Sequence, residues 1–508
     1  MTNDKGQRTK DKGQKMTNDY DIVIIGGSLV GRFAALSATQ LRAKVALVEP
    51  TVNGKLYLAN ALYGFVYHQA FSHISDLARQ FDETFFKGVR ISCGNNEQKC
   101  QISVDTSQAL LYSDGIISKI QEQHSPAILA AQGVDVIVGD GQFQPSPTLT
   151  FVVNDRQLRA RTYLLATGSR PKIPDIEGLQ KIGFLTIPDV WQSLNRPAAP
   201  KQWAIFGGVP QSIEIAQTLA HLNYDVTLIV AGKNILPQID FEISQLLCSQ
   251  LEAEGVRIVT QAPVTQVRRI ENKKWLQVGD KAIETDEIVV VTAQQPNIES
   301  LNLAAVDVKW DCDRLLVNDK LQTTNRRIWA CGDVIGGYEI ANIARYEARV
   351  AIQNALFFSK QKVNYQQIPW GIFTHPTVAQ VGLTEAQAKR QYNRDKIIVL
   401  RQYFKSIASA QIQDETTGLC KLITLDRGEI LGASILGAKA MEFIHVIALA
   451  IAQKITVTHL ARIAPLYPSF SEILEQTALS WNQHKLNSDL AWQDFLESFF
   501  HFRRNWNL

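Results

Sequence analysis

No apolar run in this 508-residue chain reaches the roughly 18 residues that a membrane-spanning helix needs. The longest candidate, around Phe443 to Ala452, is interrupted by His445. Net charge is only +3, too little to argue for nucleic acid as a partner. Cysteine is sparse: Cys93, Cys100, Cys248, Cys312, Cys331 and Cys420 are scattered, without a CxxC pair. That spacing argues against a zinc site and, with no secretory leader in view, for reduced thiols in the cytoplasm. Cys93 and Cys100 are near enough in sequence to pair or to sense redox state; two unrelated thiols is the other reading. Between residues 51 and 90 there is no cysteine at all. What remains is ordinary for a globular protein, 45% apolar and 20% charged. The length suits about three domains.

What is present begins with YDIVIIGGSLVGRFAALSATQLRAKVALVE, from Tyr20 to Glu49. The apolar run Ile22 to Ile25 reads as a buried parallel strand. Gly26, Gly27 and Gly31 lead into a helical pattern, and a second strand ends on Glu49. Glycine lets a backbone approach a pyrophosphate, and a helix N-terminus offers it free N–H groups. An acid about 20 residues on accepts hydrogen bonds from a ribose hydroxyl pair. The motif departs at Ser28, where glycine is usual, but serine is small enough to keep the approach open.

Residues 1–19 are polar, with MTND and KGQ each repeated. They read as a disordered tail, the start being Met1 or Met16. A loop and a long helix are expected after Glu49, then short strands over 131–153. A strand runs into Thr167, Gly168 and Ser169. Strand, glycine pair, helix and strand then recur in WAIFGGVPQSIEIAQTLAHLNYDVTLIV from Trp203. The count from Gly26 to Glu49, repeated from Gly207, lands on Val230, so this unit lacks the ribose acid. Lys233, just beyond, is placed to meet a 2′-phosphate, which leans toward NADPH; a solvated loop lysine is the alternative. Val209 stands where the backbone should approach the pyrophosphate, which weakens the second site. Another strand ends at Cys331–Gly332–Asp333, and beyond Pro369 alternating strands with one amphipathic helix form a third domain.

The segments IIGGSLVG, LLATGSRP, AIFGGVPQSIE, IWACGDVIGG, PWGIFTHPTVAQVGLTE and PLYPSFSE occur in an order that resembles the pyridine nucleotide–disulfide oxidoreductases. The likeness spans roughly residues 20 to 478. It implies an α/β fold: two Rossmann-like dinucleotide-binding domains plus a C-terminal α+β interface (dimerisation) domain, assembled as a homodimer. The implied FAD-binding domain is 20–175 and 288–360, the NAD(P)H-binding domain 176–287 and the interface domain 361–480. By the same resemblance Gly26, Ser28, Gly31 and Glu49 would hold the FAD adenosine and pyrophosphate. Thr167 and Gly168 would line the flavin site, Asp333 would bind a flavin-chain hydroxyl, and Gly207 and Lys233 would serve NAD(P)H.

The family's chemistry usually passes through a pair of cysteines soon after the acid. Counted without gaps from Glu49, they fall on Tyr57 and Leu62, neither of which can supply a thiolate. The family's flavin-side lysine falls near Phe65 or Val66, so its acidic partner, Glu214, is expected to lack it. The histidine of the family's C-terminal motif is Tyr467, a poor base at neutral pH but a hydrogen-bond donor. Glu472, which would orient it, remains. Tyr467, Glu472 and Glu214 are therefore the candidate catalytic residues, with no metal. The expected protein is an FAD-dependent oxidoreductase passing electrons from NAD(P)H to a small-molecule acceptor (a quinone, a nicotinamide or oxygen) without a disulfide. Two alternatives stand beside it: an FAD-binding scaffold without turnover, and a membrane-surface quinone reductase. The latter depends on residues 481–508, whose Trp492, Phe495, Leu496, Phe499 and Trp506 fall at helical spacing with arginines. That tail suits peripheral membrane contact or docking on protein.

Overall fold

The computed structural model describes residues 18–52, 55–56, 64–84, 103–196, 200–488 and 490–506. Tyr57, Leu62, Cys93 and Cys100 lie outside the described residues, as does most of the polar N-terminal tail. The chain divides into two compact units. The first comprises Met1–Leu58, His124–Ser169 and Pro296–Val363; the second comprises Ala59–Gln123, Arg170–Gln295 and Asn364–Leu508.

The first unit is built on a five-stranded sheet in the order Ile328–Ala330, Ala160–Leu165, Tyr20–Ile25, Val45–Glu49, Val134–Val138. Every pairing is parallel; Ile22 stands beside both Val45 and Thr162. The central strands carry apolar side chains on both faces because helices cover both sides of a parallel sheet. Helix Leu29–Gln40 buries Ala34, Ala35 and Ala38, small residues that let it lie close on the sheet.

The second unit repeats this plan with a four-stranded parallel sheet. Its order is Arg257–Thr260, Asp225–Val230, Gln202–Phe206, Glu287–Val290. A three-stranded antiparallel sheet, Val264–Ile270, Lys273–Val278 and Lys281–Thr285, follows it. A second layer is a five-stranded antiparallel sheet: Trp370–Ile372, Val378–Gly382, Ile430–Leu436, Leu419–Leu425, Ile397–Tyr403. This C-terminal region is more helical than the alternating sequence texture predicts. Besides Glu385–Gln391, it holds Ala440–Ala452 and Glu472–Ser488. Strands Leu419–Leu425 and Ile430–Leu436 are buried throughout, and they become so by being covered with helices. The long helix expected after Glu49 is Gly64–Thr84, which belongs to the second unit. Among the described residues, no helix is long and apolar enough to cross a membrane.

Candidate functional site

In the first unit, strand Tyr20–Ile25 ends at Gly26, whose φ of +123° is left-handed territory. A Cβ there would stand 2.1 Å from the Ala166 carbonyl oxygen, so only glycine closes this turn. Ser28 caps helix Leu29–Gln40: its Oγ accepts the Gly31 N–H at 3.2 Å and donates to the Ala166 carbonyl at 3.3 Å. The serine that departs from the glycine motif thus ties the turn to the strand that leads into Thr167. A Cβ on Gly31 would lie 1.9 Å from the Gly26 carbonyl oxygen.

Glu49 closes strand Val45–Glu49 and is fully buried. Its Oε1 accepts from Arg32 Nε at 2.8 Å, and Arg32 also donates to the His124 carbonyl at 2.6 Å. Oε2 is buried without a hydrogen-bond partner among the described residues. Burial pushes the carboxyl up, and Arg32 offsets only part of that. A buried carboxylate oxygen left unmatched beside a glycine turn suits the paired hydroxyls of a ribose. Thr167 Oγ1 is also buried and unmatched among the described residues. Its loop is held open by Asn297, whose Nδ2 donates to the Thr167 carbonyl at 3.1 Å and whose N–H donates to the Gly168 carbonyl at 3.1 Å. Asp333 sits just after strand Ile328–Ala330, where burial raises its carboxyl. Burial, and then the charge of Asp333, pushes Glu339 up to about 7. Glu347 pins the turn by accepting the Gly332 N–H at 2.7 Å. Glycine cradle, unmatched acceptors and the N-terminus of helix Leu29–Gln40 together fit the adenosine–pyrophosphate half of FAD.

The second unit carries the matching turn. Gly207 has φ +152°, and a Cβ on it would lie 1.9 Å from the Val291 carbonyl oxygen. A Cβ on Gly27 would meet the Glu49 side chain at 2.6 Å; one on Gly208 would meet Val230 at 2.8 Å. Val230 therefore occupies the place that Glu49 holds in the first unit, as counting along the chain predicts. Val209 follows nearly the extended path of Ser28, with φ −96° and ψ 160° against −63° and 165°, so the branched side chain does not divert the backbone. Pro210 follows it at the start of helix Pro210–His221, and proline removes one N–H donor from this turn. Lys233 is exposed.

Glu214 lies on that helix and is buried. One oxygen accepts the Phe373 N–H at 2.8 Å. The other lies 3.2 Å from Nε2 of His68, on helix Gly64–Thr84, with both side chains only 4% exposed. The approach is too oblique for a hydrogen bond, and His68 Nδ1 has no partner among the described residues. Trp191 lies against the His68 ring at 5.4 Å between centroids, and Phe71 stacks on Trp191 at 4.9 Å. No lysine faces Glu214 among the described residues, in line with the ungapped count to Phe65 or Val66, but a histidine, His68, does. Sequence reading misses it because the count admits no insertion and a histidine on an apolar helix face gives no local signal. Seven residues on, His221 repeats the contact, with Nε2 3.1 Å from Glu254 and Nδ1 3.5 Å from Asp76. Burial alone would lower His221, but the two carboxylates outweigh it and hold the imidazole charged, up to about 9. The two histidine contacts fix helices Gly64–Thr84 and Pro210–His221 side by side.

Tyr467 is 78% exposed. Glu472 is buried and directs Oε1 to the Ser469 N–H at 2.7 Å, capping its own helix instead of orienting Tyr467. Glu214, Tyr467 and Glu472 are therefore not brought together within one chain by direct hydrogen bonds. The described cysteines, Cys248, Cys312, Cys331 and Cys420, are free thiols. Among the described residues, no group of three or more His, Cys, Asp or Glu is disposed to hold a metal ion.

Comparison with known proteins shows the family and the fold. The family model "Pyridine nucleotide-disulphide oxidoreductase" matches residues 20–348, and its dimerisation domain matches 368–478. A mercuric reductase of Staphylococcus aureus is 30% identical over 474 residues, covering 92% of this chain and 83% of its own. A dihydrolipoyl dehydrogenase of Synechocystis is 28% identical over 478 residues, covering 90% and 98%. The solved Cu(II) complex of the HOCl-induced flavoprotein disulfide reductase RclA from Escherichia coli shares the fold. Its TM-score is 0.76 at 22% identity, with 91% of this chain and 99% of that one covered. The chain belongs to the pyridine nucleotide–disulfide oxidoreductase family. Members of this family depend on FAD and use NAD(P)H.

Proposed function

We propose that the protein is an FAD-dependent oxidoreductase that takes electrons from NAD(P)H and delivers them to a small-molecule acceptor without a disulfide relay. The observation that carries this is the region after Glu49. No cysteine occurs between residues 51 and 90, and a histidine, not a lysine, faces Glu214. A relay needs a thiolate close to the flavin, and neither Tyr57 nor Leu62 can become one. FAD, when bound, supplies the two-electron chemistry. The chain supplies the rest. Gly26, Ser28, Gly31 and Glu49 hold the adenosine–pyrophosphate half, and Thr167, Gly168 and Asp333 line the remainder. Glu214 and His68 stand 3.2 Å apart as a buried polar pair, and Tyr467 is the candidate donor to a bound acceptor. Two chains form a two-fold homodimer through the dimerisation domain. Val230 in place of an acid, with exposed Lys233 beyond it, favours NADPH over NADH, because no carboxylate stands where the 2′-phosphate must fit.

The relatives are a mercuric reductase and a dihydrolipoyl dehydrogenase; the missing cysteines separate this chain from the disulfide route. Cys93 and Cys100 are the remaining nearby pair, so they provide the test. Changing both to serine should leave NAD(P)H-dependent reduction of a soluble quinone within about twofold, since residues outside the reaction leave its barrier unchanged. A fall of a hundredfold or more in the double variant, with flavin still bound, would mean that a thiol pair carries the electrons after all.

A further inference from the structure

The C-terminal helix Leu490–Asn505 ends the second unit, and none of its sixteen residues is buried. Trp492, Phe495, Phe499, Phe502 and Trp506 are between 42% and 58% exposed. They run along one side, Trp506 one residue past the helix's end: Trp492 stacks on Phe495 at 5.1 Å, Phe495 on Phe499 at 6.1 Å, and Phe502 meets Trp506 edge-on at 4.8 Å. A stripe recurring at three and four residues is a seam for one partner helix. Left in water, it costs more hydrophobic free energy than scattered surface residues do.

The stripe is symmetric about Phe499. Trp492 and Trp506 stand seven residues to either side, and Leu496 and Phe502 stand three. Phe495 and Arg503 stand four away, an aromatic opposite a guanidinium. A two-fold axis demands a self-complementary surface, in which each residue meets its mirror position in the other copy. An antiparallel pair centred on Phe499 meets that demand. Phe499 packs on its own copy, each tryptophan meets the other, and Arg503 lies over Phe495 as a cation–π pair. A lipid surface fits less well. Helices that lie on anionic membranes carry a lysine- and arginine-rich polar face, whereas here Asp494 and Glu497 balance Arg503 and Arg504. The helix also continues directly from the dimerisation domain, which ends at residue 478, through helix Glu472–Ser488.

We infer that helix Leu490–Asn505 is a second dimerisation element, pairing antiparallel with the same helix of a second copy about an axis at Phe499. This rests on the homodimer proposed above. The test uses the full chain carrying Phe499→Cys, with Glu497→Cys, on the opposite side of the helix, and the unaltered chain as controls. Under mild oxidation Phe499→Cys should form a covalent dimer at least about tenfold faster than Glu497→Cys, because facing thiols meet at millimolar effective concentration. Copies bearing Trp492→Cys should cross-link to copies bearing Trp506→Cys, and neither to itself. Equal rates for Phe499→Cys and Glu497→Cys would overturn the pairing. Sedimentation of the unaltered chain separates the two levels. A monomer would sink the homodimer itself, whereas a dimer without the Phe499→Cys cross-link would sink only the helix pairing. Co-sedimentation with phosphatidylglycerol vesicles that Phe499→Asp abolishes, in a chain whose Phe499→Cys form does not cross-link, would assign the stripe to lipid instead.

Discussion

Glu49→Ala should yield a protein that cannot retain FAD and that melts earlier than the unaltered chain. Two separate losses combine. The unmatched Oε2 disappears and with it the acceptor proposed for the ribose hydroxyls; a hydrogen bond to a charged group contributes about 1.5–3 kcal/mol. Arg32, whose side chain is only 5% exposed, loses the carboxylate it pairs with at 2.8 Å. Removing one partner of a buried ion pair costs about 3–5 kcal/mol. Glu49→Gln separates the effects in part, keeping the shape while removing the charge. Its FAD dissociation constant should rise by about ten- to a hundredfold, the fold-change that a few kcal/mol implies. The double variant Arg32→Met, Glu49→Gln should recover stability without recovering FAD affinity. Flavin fluorescence titration and thermal unfolding read the two quantities independently. If Glu49→Gln binds FAD as tightly as the unaltered chain does, Glu49 is no ribose ligand and its acid is only the partner of Arg32.

Lys421→Met should cost about 3–5 kcal/mol of stability, the usual price of leaving buried charges unpaired. Lys421 lies in the wholly buried strand Leu419–Leu425. Its ammonium group is 2.7 Å from Asp240, 2.7 Å from Glu385 and 3.0 Å from Glu242. Arg401 reaches Glu242 at 2.9 Å and Glu385 at 3.3 Å, and Lys389 pairs with Glu385. Three cations thus face three carboxylates. Asp240 also caps helix Phe241–Ala253, so the network joins that helix to the antiparallel sheet. Burial alone would raise the Glu385 carboxyl, but Lys389 and Lys421 bring it down to about 2. A carboxyl lowered on folding stabilises above its ordinary range, and that stability is lost as pH falls through about 2. The Lys421→Met variant should therefore lose part of its acid-side slope as well as its melting temperature. Adding Asp240→Asn, which keeps the cap, should restore some of the loss. A drop below about 1 kcal/mol, typical of exposed pairs, would contradict the buried network.

These two residues also mark how far the sequence can be read. The glycine turns are legible because their demand is local: a Cβ at Gly26 collides with backbone whatever else the fold does. Val230 is legible by counting, because strand, turn and helix lengths repeat. The two parallel sheets and the aromatic C-terminal helix follow from period and spacing. What escapes is pairing across distance. Arg32 meets Glu49 after 17 residues, Glu214 meets His68 across two separate segments, and Lys421 meets Asp240 after 181. No periodicity announces such partners, since they depend on how elements pack and not on either element alone. Nothing in the sequence of strand Leu419–Leu425 points to the three carboxylates that Lys421 meets. Glu472 is the reverse case: its motif position implies a partner in Tyr467, yet local geometry gives it the Ser469 N–H at its own helix end.

The measurement closest to the central claim is an anaerobic visible spectrum of the purified protein during titration with NADPH and, separately, with NADH. The protein should be yellow and bleach fully with two electrons. NADPH should act about tenfold faster than NADH, as one lost phosphate contact of about 1.4 kcal/mol requires. No long-wavelength thiolate–flavin absorption should appear at any stage. A persistent band of that kind, stable with one equivalent of donor and abolished by thiol alkylation, would place a cysteine against the flavin and contradict the direct route. A flavin that neither donor bleaches would leave a binding scaffold in place of an enzyme.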